Sequence, residues 1–313
     1  MSEIVEPIYA RAEPPVAALV PEVEIAKTKR VGVFGYAAMA WMALLVLVAI
    51  VVPFLPIDDP NKLYPLKKGL NVAGPFTDGH LFGGDNAGRD LFARMLWGTR
   101  TSLILGVSAV TFGLIVGGTL GLMAGYFRKR IDRVLSGAFD TLLAIPQIIM
   151  ALALVAVFAP SDSLNPSSDT RRMVVLIIAL GIVSVPLLAR ITRANTLTWS
   201  QREFVLASRA LGAKDKRIMW REVLPNVLPA MFSIFLLGIA VIIVTEGGLS
   251  ILGVGVQLPT PSWGNIIAEG YPNLRVTPWP VLIPSAVIFL TVLSLNYLGD
   301  VVRARFDVRE AAL

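Results

Sequence analysis

The sequence predicts an all-α, polytopic membrane protein with six transmembrane helices and both termini in the cytoplasm. Three observations predict it. Of 313 residues, 55% are hydrophobic and only 16% are charged, where a soluble domain carries about 25% charged residues. Seven uncharged stretches of 17 residues or more punctuate the chain, and the six without a dense run of Gly and Pro lie at 31–57, 101–127, 141–161, 173–189, 223–245 and 276–299. Each is long enough to cross a hydrocarbon core of roughly 30 Å at about 1.5 Å per residue. Placing both termini inside puts 19 of the 28 Lys and Arg residues on the cytoplasmic side, the direction of the positive-inside bias.

Residues 1–30 read as a flexible cytoplasmic tail. They hold Glu3, Glu6, Glu13, Glu22 and Glu24 with four prolines and no apolar core, so they are not a signal peptide. The transmembrane body is expected at 31–300, with spans at about 32–54, 101–126, 140–160, 173–190, 229–252 and 279–300, and a second short cytoplasmic tail at 301–313. The loop 58–99 falls outside, and long loops are often functional. Within it, GDNAGRD at 84–90 lacks the alternating oxygen ligands of a calcium loop and reads as a turn leading into a helix capped by Asp90.

Span two carries Gly113, Gly117, Gly121 and Gly125. Every fourth residue lines one side of a helix, so another backbone can approach closely; glycine enrichment common to membrane helices is the bland alternative, and the partner helix is not legible. FRKRIDR at 127–133 is the strongest cytoplasmic signal. Pro146 and Pro186 sit inside spans three and four and imply kinks, as hinges or as static shape. Gln147, Glu246 and Asn296 are polar groups within or at the ends of spans, candidates for a translocation path or gate; Glu246 reads equally as a hydrated helix end. Asp140 and Asp300 read as interfacial groups near Arg133 and Arg303. The stretch 247–268, rich in Gly and Pro, reads as the end of span five followed by an external or re-entrant loop.

Between spans four and five lies a polar segment, 191–228. Phe204, Ala207, Ala210 and Leu211 fall on one helical face. Gly212 is placed to end that helix, since glycine takes positive φ freely. Asp215 is placed to cap a second helix bearing Ile218 and Met219, and Pro225 to close it. Such a segment either rests on lipid headgroups or docks a cytoplasmic partner.

Several functions are excluded. There is no cysteine, hence no disulfide, thiolate site or cysteine nucleophile, and the single histidine, His80, gives no histidine metal cluster. No metal site is expected. The net charge of +6 is read as cytoplasm-facing basic loops rather than a nucleic-acid surface. No Gly-Lys dipeptide occurs, so there is no G-x-x-x-x-G-K-[ST] phosphate loop. An intramembrane enzyme would need a buried nucleophile or metal set that is missing; a self-sufficient secondary transporter stays the alternative, although such proteins often show internal repeats and none is seen between these halves.

LASRALGAKDKRIMWREVLPN at 206–226 resembles the EAA loop of ABC importer permeases. Ala207, Gly212, Ile218, Leu224 and Pro225 match the pattern. Leu206 stands where that loop has Glu, and Ser208 where it has the second Ala; Glu203 is similar to an acidic position common in the peptide branch. GGDNAGRDLFARMLWGTRTSL at 83–103, DTLLAIPQ at 140–147, TEGGLSILGVGVQLPTPSWGNIIAEG at 245–270 and NYLGDVVRARFDVR at 296–309 resemble the dipeptide/oligopeptide (Dpp/Opp) C-type permease subunits, so the likeness covers most of 80–309. The resemblance implies a non-catalytic membrane subunit of the bacterial cytoplasmic (inner) membrane. It implies an importer of peptides, or on the same architecture of a nickel chelate or haem. It implies ATPase coupling through Glu203, Ala207, Ser208, Gly212, Ile218, Leu224 and Pro225, and a surface at Asp85, Arg89 and Asp90 for an extracytoplasmic substrate-binding protein. The other implied partners are a second homologous permease, and two ABC ATPase subunits or one two-domain ATPase. No cofactor is expected on this chain; ATP and Mg belong to the partner subunits.

Overall fold

The computed structural model describes residues 32–64, 74–76, 80–158 and 166–310, and the side chains of all these except 166–169 and 306–310. The expected tail at 1–30 lies outside the described residues, as do the middle of the 58–79 loop and the last three residues. Among the described residues the fold is all helical, with only two isolated β-bridges, Leu63 to Arg89 and Gly84 to Asp90.

The helices in chain order are α1 (Val33–Val51), α2 (Leu91–Phe127), α3 (Lys129–Leu143), α4 (Gln147–Phe158), α5 (Pro166–Trp199), α6 (Glu203–Ala210), α7 (Asp215–Ile218), α8 (Leu224–Ile251), α9 (Trp263–Gly270) and α10 (Trp279–Glu310). Among the described residues five runs are long and apolar enough to cross a membrane: Val33–Phe54, Leu91–Phe127, Thr170–Trp199, Asp215–Ile251 and Trp279–Arg305. A sixth exists only if α3 and α4 are counted together, and they are bent by 89° at the break between them.

Where the sequence implied a kink at Pro146 inside one span at 140–160, the structure has a full break between two helices. Ala144 still bonds back to Asp140, but Pro146 offers no N–H, and helical geometry resumes only when Met150 N–H reaches the Pro146 carbonyl at 3.1 Å. Pro146 therefore separates two helices, whereas Pro186 stays inside an unbroken α5. The α2–α3 corner is equally sharp: Arg128 and Lys129 take φ of 53° and 49°, the left-handed region rare for side-chain-bearing residues. α2 starts ten residues before the expected span because Asp90 caps it, accepting the Ala93 N–H at 2.8 Å.

A second correction concerns Pro225. The second helix of the 191–228 segment was expected to stop there; instead it runs on into the fifth span. Residues Met219–Val223 widen into a π-turn, in which Leu224 N–H bonds Met219 O, five residues back. The Asn226 side-chain amide donates to the Glu222 carbonyl at 2.7 Å. The wide turn makes room for the proline ring, and the helix continues. Asp215, expected as a cap, makes no capping bond; Lys214 occupies that position.

α2 is the axis of the bundle. Its glycine seam meets α5 of the same chain. Gly113 lies over Gly181 and Ser184, Gly117 over Val185, Gly121 over Ala189 and Gly125 over Arg193 and Thr196. Both helices contribute a residue every fourth position, and the rising order on each shows that they run parallel. A Cβ at Gly117 would sit 2.5 Å from the Val185 carbonyl oxygen, too close for any other residue. The opposite side of α2 packs on α8 in the antiparallel sense, Gly106 against Ile239 and Ile243 and Gly118 against Met231. α1 packs on α10, where Trp41 Nε1 donates to Thr291 Oγ1 at 3.2 Å. The largest core cluster, with Leu105, Val110, Leu180, Ile243, Leu249 and Trp263, lies where α2, α5, α8 and α9 converge.

Candidate functional site

The helical frame separates two polar ends. At one end, α5 stops at Trp199 and the chain turns through Ser200–Arg202 into α6. Gly212 follows with φ of +80°, as a helix stop of this kind requires. α7 then leads into α8. The elbow made by α6 and α7 is anchored by an apolar cluster in which Val205, Ile218 and Val223 are fully buried against Leu122, Tyr126 and Trp199. Tyr126, near the end of α2, ties both limbs. Its hydroxyl donates to Asp215 Oδ1 at 2.7 Å and accepts from Arg209 Nη2 at 3.2 Å. Arg209 is also 3.6 Å from Asp215, and the Tyr126 hydrogen bond holds its guanidinium above the ordinary arginine range.

The predicted elbow residues do not share one role. Glu203, Ala207 and Gly212 are exposed, Ser208 is half-buried, and with Phe204 and Leu211 the outward face is apolar with a charged rim; Leu211 is 88% exposed. Ile218 is fully buried and Leu224 half-buried, so these two hold the elbow to the bundle. Pro225 is exposed on the continuous helix. Tyr126 was not legible as part of this site, since it lies about eighty residues upstream in an apolar run. Nearby, Arg193 pairs with Asp132, and Asp140 pairs with Arg190 rather than with Arg133.

At the other end, Asp85, Arg89, Arg94 and Glu269 form a closed ionic cluster. Arg89 Nε is 2.6 Å from Asp85 Oδ2 and its Nη2 2.7 Å from Glu269 Oε1. Arg94 Nη2 is 2.8 Å from Glu269 Oε2 and its Nε 3.3 Å from Asp85 Oδ2. Desolvation pulls the Arg89 guanidinium down, but the Glu269 hydrogen bond and the Asp85 charge outweigh it and leave it raised. Asp85 and Arg89, expected on the surface, are thus turned inward. Asp90 caps α2, and its Oδ1 accepts from His80 Nδ1 at 2.8 Å. The cluster clamps the start of α2 to α9.

Glu246 is not a hydrated helix end. It is 1% exposed. Ser250 Oγ donates to its Oε1 at 2.7 Å and Ser262 Oγ at 3.0 Å, and the Val256 and Gly264 N–H groups also bond it. All four donors are neutral. Ser262 caps α9 in a reciprocal pair with Asn265, and Trp263 docks on α2 through Thr99 and Ser102. Glu246 therefore pins the 252–262 corner between α8 and α9. The S-x-x-N spacing of 262–265 was the available signal for this corner. Gln147 is half-buried beside an exposed Pro146. Asn296 is half-buried and donates to Val292 O at 2.7 Å on its own helix. The structure does not bring Pro146, Gln147, Glu246 and Asn296 together into one lining. Among the described residues no group of His, Cys, Asp and Glu could hold a metal ion.

This frame is similar to the permease of a solved ABC transporter. An inward facing structure of the MetNI methionine ABC transporter superimposes with a TM-score of 0.55 over 71% of this chain and 96% of that one, at 19% sequence identity, which establishes the fold. The family model described as "Binding-protein-dependent transport system inner membrane component" matches residues 117–310, and the chain belongs to that family. It is 37% identical over 262 residues to the dipeptide transport system permease protein DppC of Alkalihalophilus pseudofirmus, covering 84% of this chain and 81% of the relative. It is 36% identical over 271 residues to the glutathione transport system permease protein GsiD of Pectobacterium atrosepticum, covering 87% and 85%. The chain is a Dpp-type ABC importer permease, a multi-pass protein of the bacterial cytoplasmic membrane.

Proposed function

We propose that the chain is one of two membrane subunits of an ATP-driven importer of di- or oligopeptides, oriented with its elbow and both termini in the cytoplasm. A binding protein delivers the peptide outside. A second, homologous permease completes the path. Two ATPase subunits, or one two-domain ATPase, hold ATP and Mg and press on the elbow through Glu203, Ala207, Ser208 and Gly212. The peptide reading rests on relatives named for dipeptide and glutathione transport. The mechanical reading rests on one observation: an exposed apolar face on α6 whose opposite side is locked into the bundle by Val205 and Ile218. A surface so braced passes a push on instead of absorbing it. Closure of the ATPases would tilt the helices between outward and inward states as near-rigid bodies.

Ala207→Glu tests this. It places a charge on the exposed face without touching the buried anchor. Uptake of a labelled dipeptide and peptide-stimulated ATP hydrolysis are expected to fall at least tenfold, with unchanged amounts of the chain in the membrane. Normal uptake by the variant would reject the elbow as the coupling element.

A further inference from the structure

At the end of the molecule away from the elbow, a groove of about 740 Å³ opens between the segment after α1, the first turns of α2, the start of α5 and the 259–261 loop. Among the groups lining it are Asp59, Asn61, Trp97, Arg100, Thr101 and Thr260. Arg100 is half-buried and enters none of the ion pairs of the described residues, although the neighbouring arginines Arg89 and Arg94 are both paired. Asp59 is likewise outside every such pair; its Oδ1 only accepts the Asn61 N–H at 2.8 Å. Asn61 Oδ1 is buried and has no hydrogen-bond partner among the described residues, a costly state for an acceptor unless something arrives to donate to it. Trp97 and the prolines at 259 and 261 give the walls an apolar surface.

The groove thus offers one cation, one anion, one unused acceptor and an apolar wall. An arginine is the preferred partner of a carboxylate, which it grips with two parallel N–H bonds. A carboxylate such as Asp59 suits an ammonium, and an orphan amide oxygen suits a peptide N–H. We propose that this groove is an entry subsite for the free termini of a short zwitterionic peptide, with Arg100 taking the C-terminal carboxylate, Asp59 the N-terminal ammonium and Asn61 a backbone N–H between them. Its volume fits a ligand of two or three residues. The proposal rests on the peptide reading above and deepens it.

The test separates the two. Uptake of trialanine by the complete wild-type transporter in proteoliposomes asks whether peptide is the cargo at all; if it is not carried, the peptide reading fails. The subsite is tested on the same purified transporter without its binding protein, by saturation-transfer NMR with millimolar trialanine and its C-terminal amide. Wild type is expected to give a signal several times stronger for the free acid than for the amide. Arg100→Gln should lower the free-acid signal to the amide's level, and Arg100→Lys should restore part of it. Asp59→Asn should weaken trialanine but not N-acetyl-trialanine. Equal signals for acid and amide in wild type would overturn the proposal, as would an Arg100→Gln loss that is the same for both. So would a signal displaced by added anionic phospholipid but not by peptide, which would assign the groove to a lipid headgroup.

Discussion

Single side chains set the geometry of both ends. Tyr126 is the clearest case, because one hydroxyl both donates and accepts across the elbow, joining Asp215 to Arg209. Tyr126→Phe keeps the ring in the apolar cluster and removes only those bonds. Arg209 and Asp215 are about half exposed, so solvent screening limits the loss of stability to about 1 kcal/mol. The expected result is a small drop in the melting temperature of the purified complex but a severalfold loss of peptide uptake per ATP hydrolysed. Equal, minor losses in both would mean the hydroxyl only stabilises. Glu246 makes the complementary point. Its charge alone marked it as notable in the sequence, but what it bonds is spread over Ser250, Val256, Ser262 and Gly264, and no local pattern announces that such groups will converge on one carboxylate. The inward turn of Arg89 was hidden for the same reason, since its partner Glu269 lies 180 residues away, and Asp85 turns inward with it as the counter-charge of Arg89 and Arg94.

At the level of helices, the α2–α5 pairing rests on the absence of side chains along one stripe. Gly121→Leu should force α2 off the Ala189 backbone, which cannot yield as a side-chain tip would, and overpacking of this kind costs about 1–3 kcal/mol or more. Thermal unfolding of the complex should show it as a clear destabilisation. Gly137→Ala on α3 is the matched control: nothing lies within 4 Å of an added Cβ there, and better helix propensity should leave stability equal or higher by about 0.5–1 kcal/mol. The positions of the spans were legible because charge is excluded from lipid, and the glycine stripe was legible because its period matches a helix face. Which helix the stripe would meet was not, because helix pairing is non-local. The breaks were half legible. Pro146 and Pro225 both stood out, but one ends a helix and the other rides through it, and the difference lies in a widened turn at Met219–Val223 that no residue type encodes by itself.

For the molecule as a whole, the elbow and the ionic cluster occupy opposite ends of one bundle. Orientation follows from labelling, which the absence of native cysteine makes clean. Leu211→Cys, at an exposed elbow site, should react in intact cells only with a membrane-permeant maleimide. Leu63→Cys, at the far end and 68% exposed, should react with an impermeant one. The reverse pattern would invert the protein in the membrane. One consequence follows from the unbroken run Asp215–Ile251. At about 1.5 Å per residue it is a single oar some 55 Å long, its handle at Asp215 and its blade fastened by Glu246 to the corner that carries Thr260. If a cytoplasmic partner rows the handle, the same rod would sweep the wall of the distant groove, and a ligand resting there would feel the stroke through the Glu246–Ser262 bond.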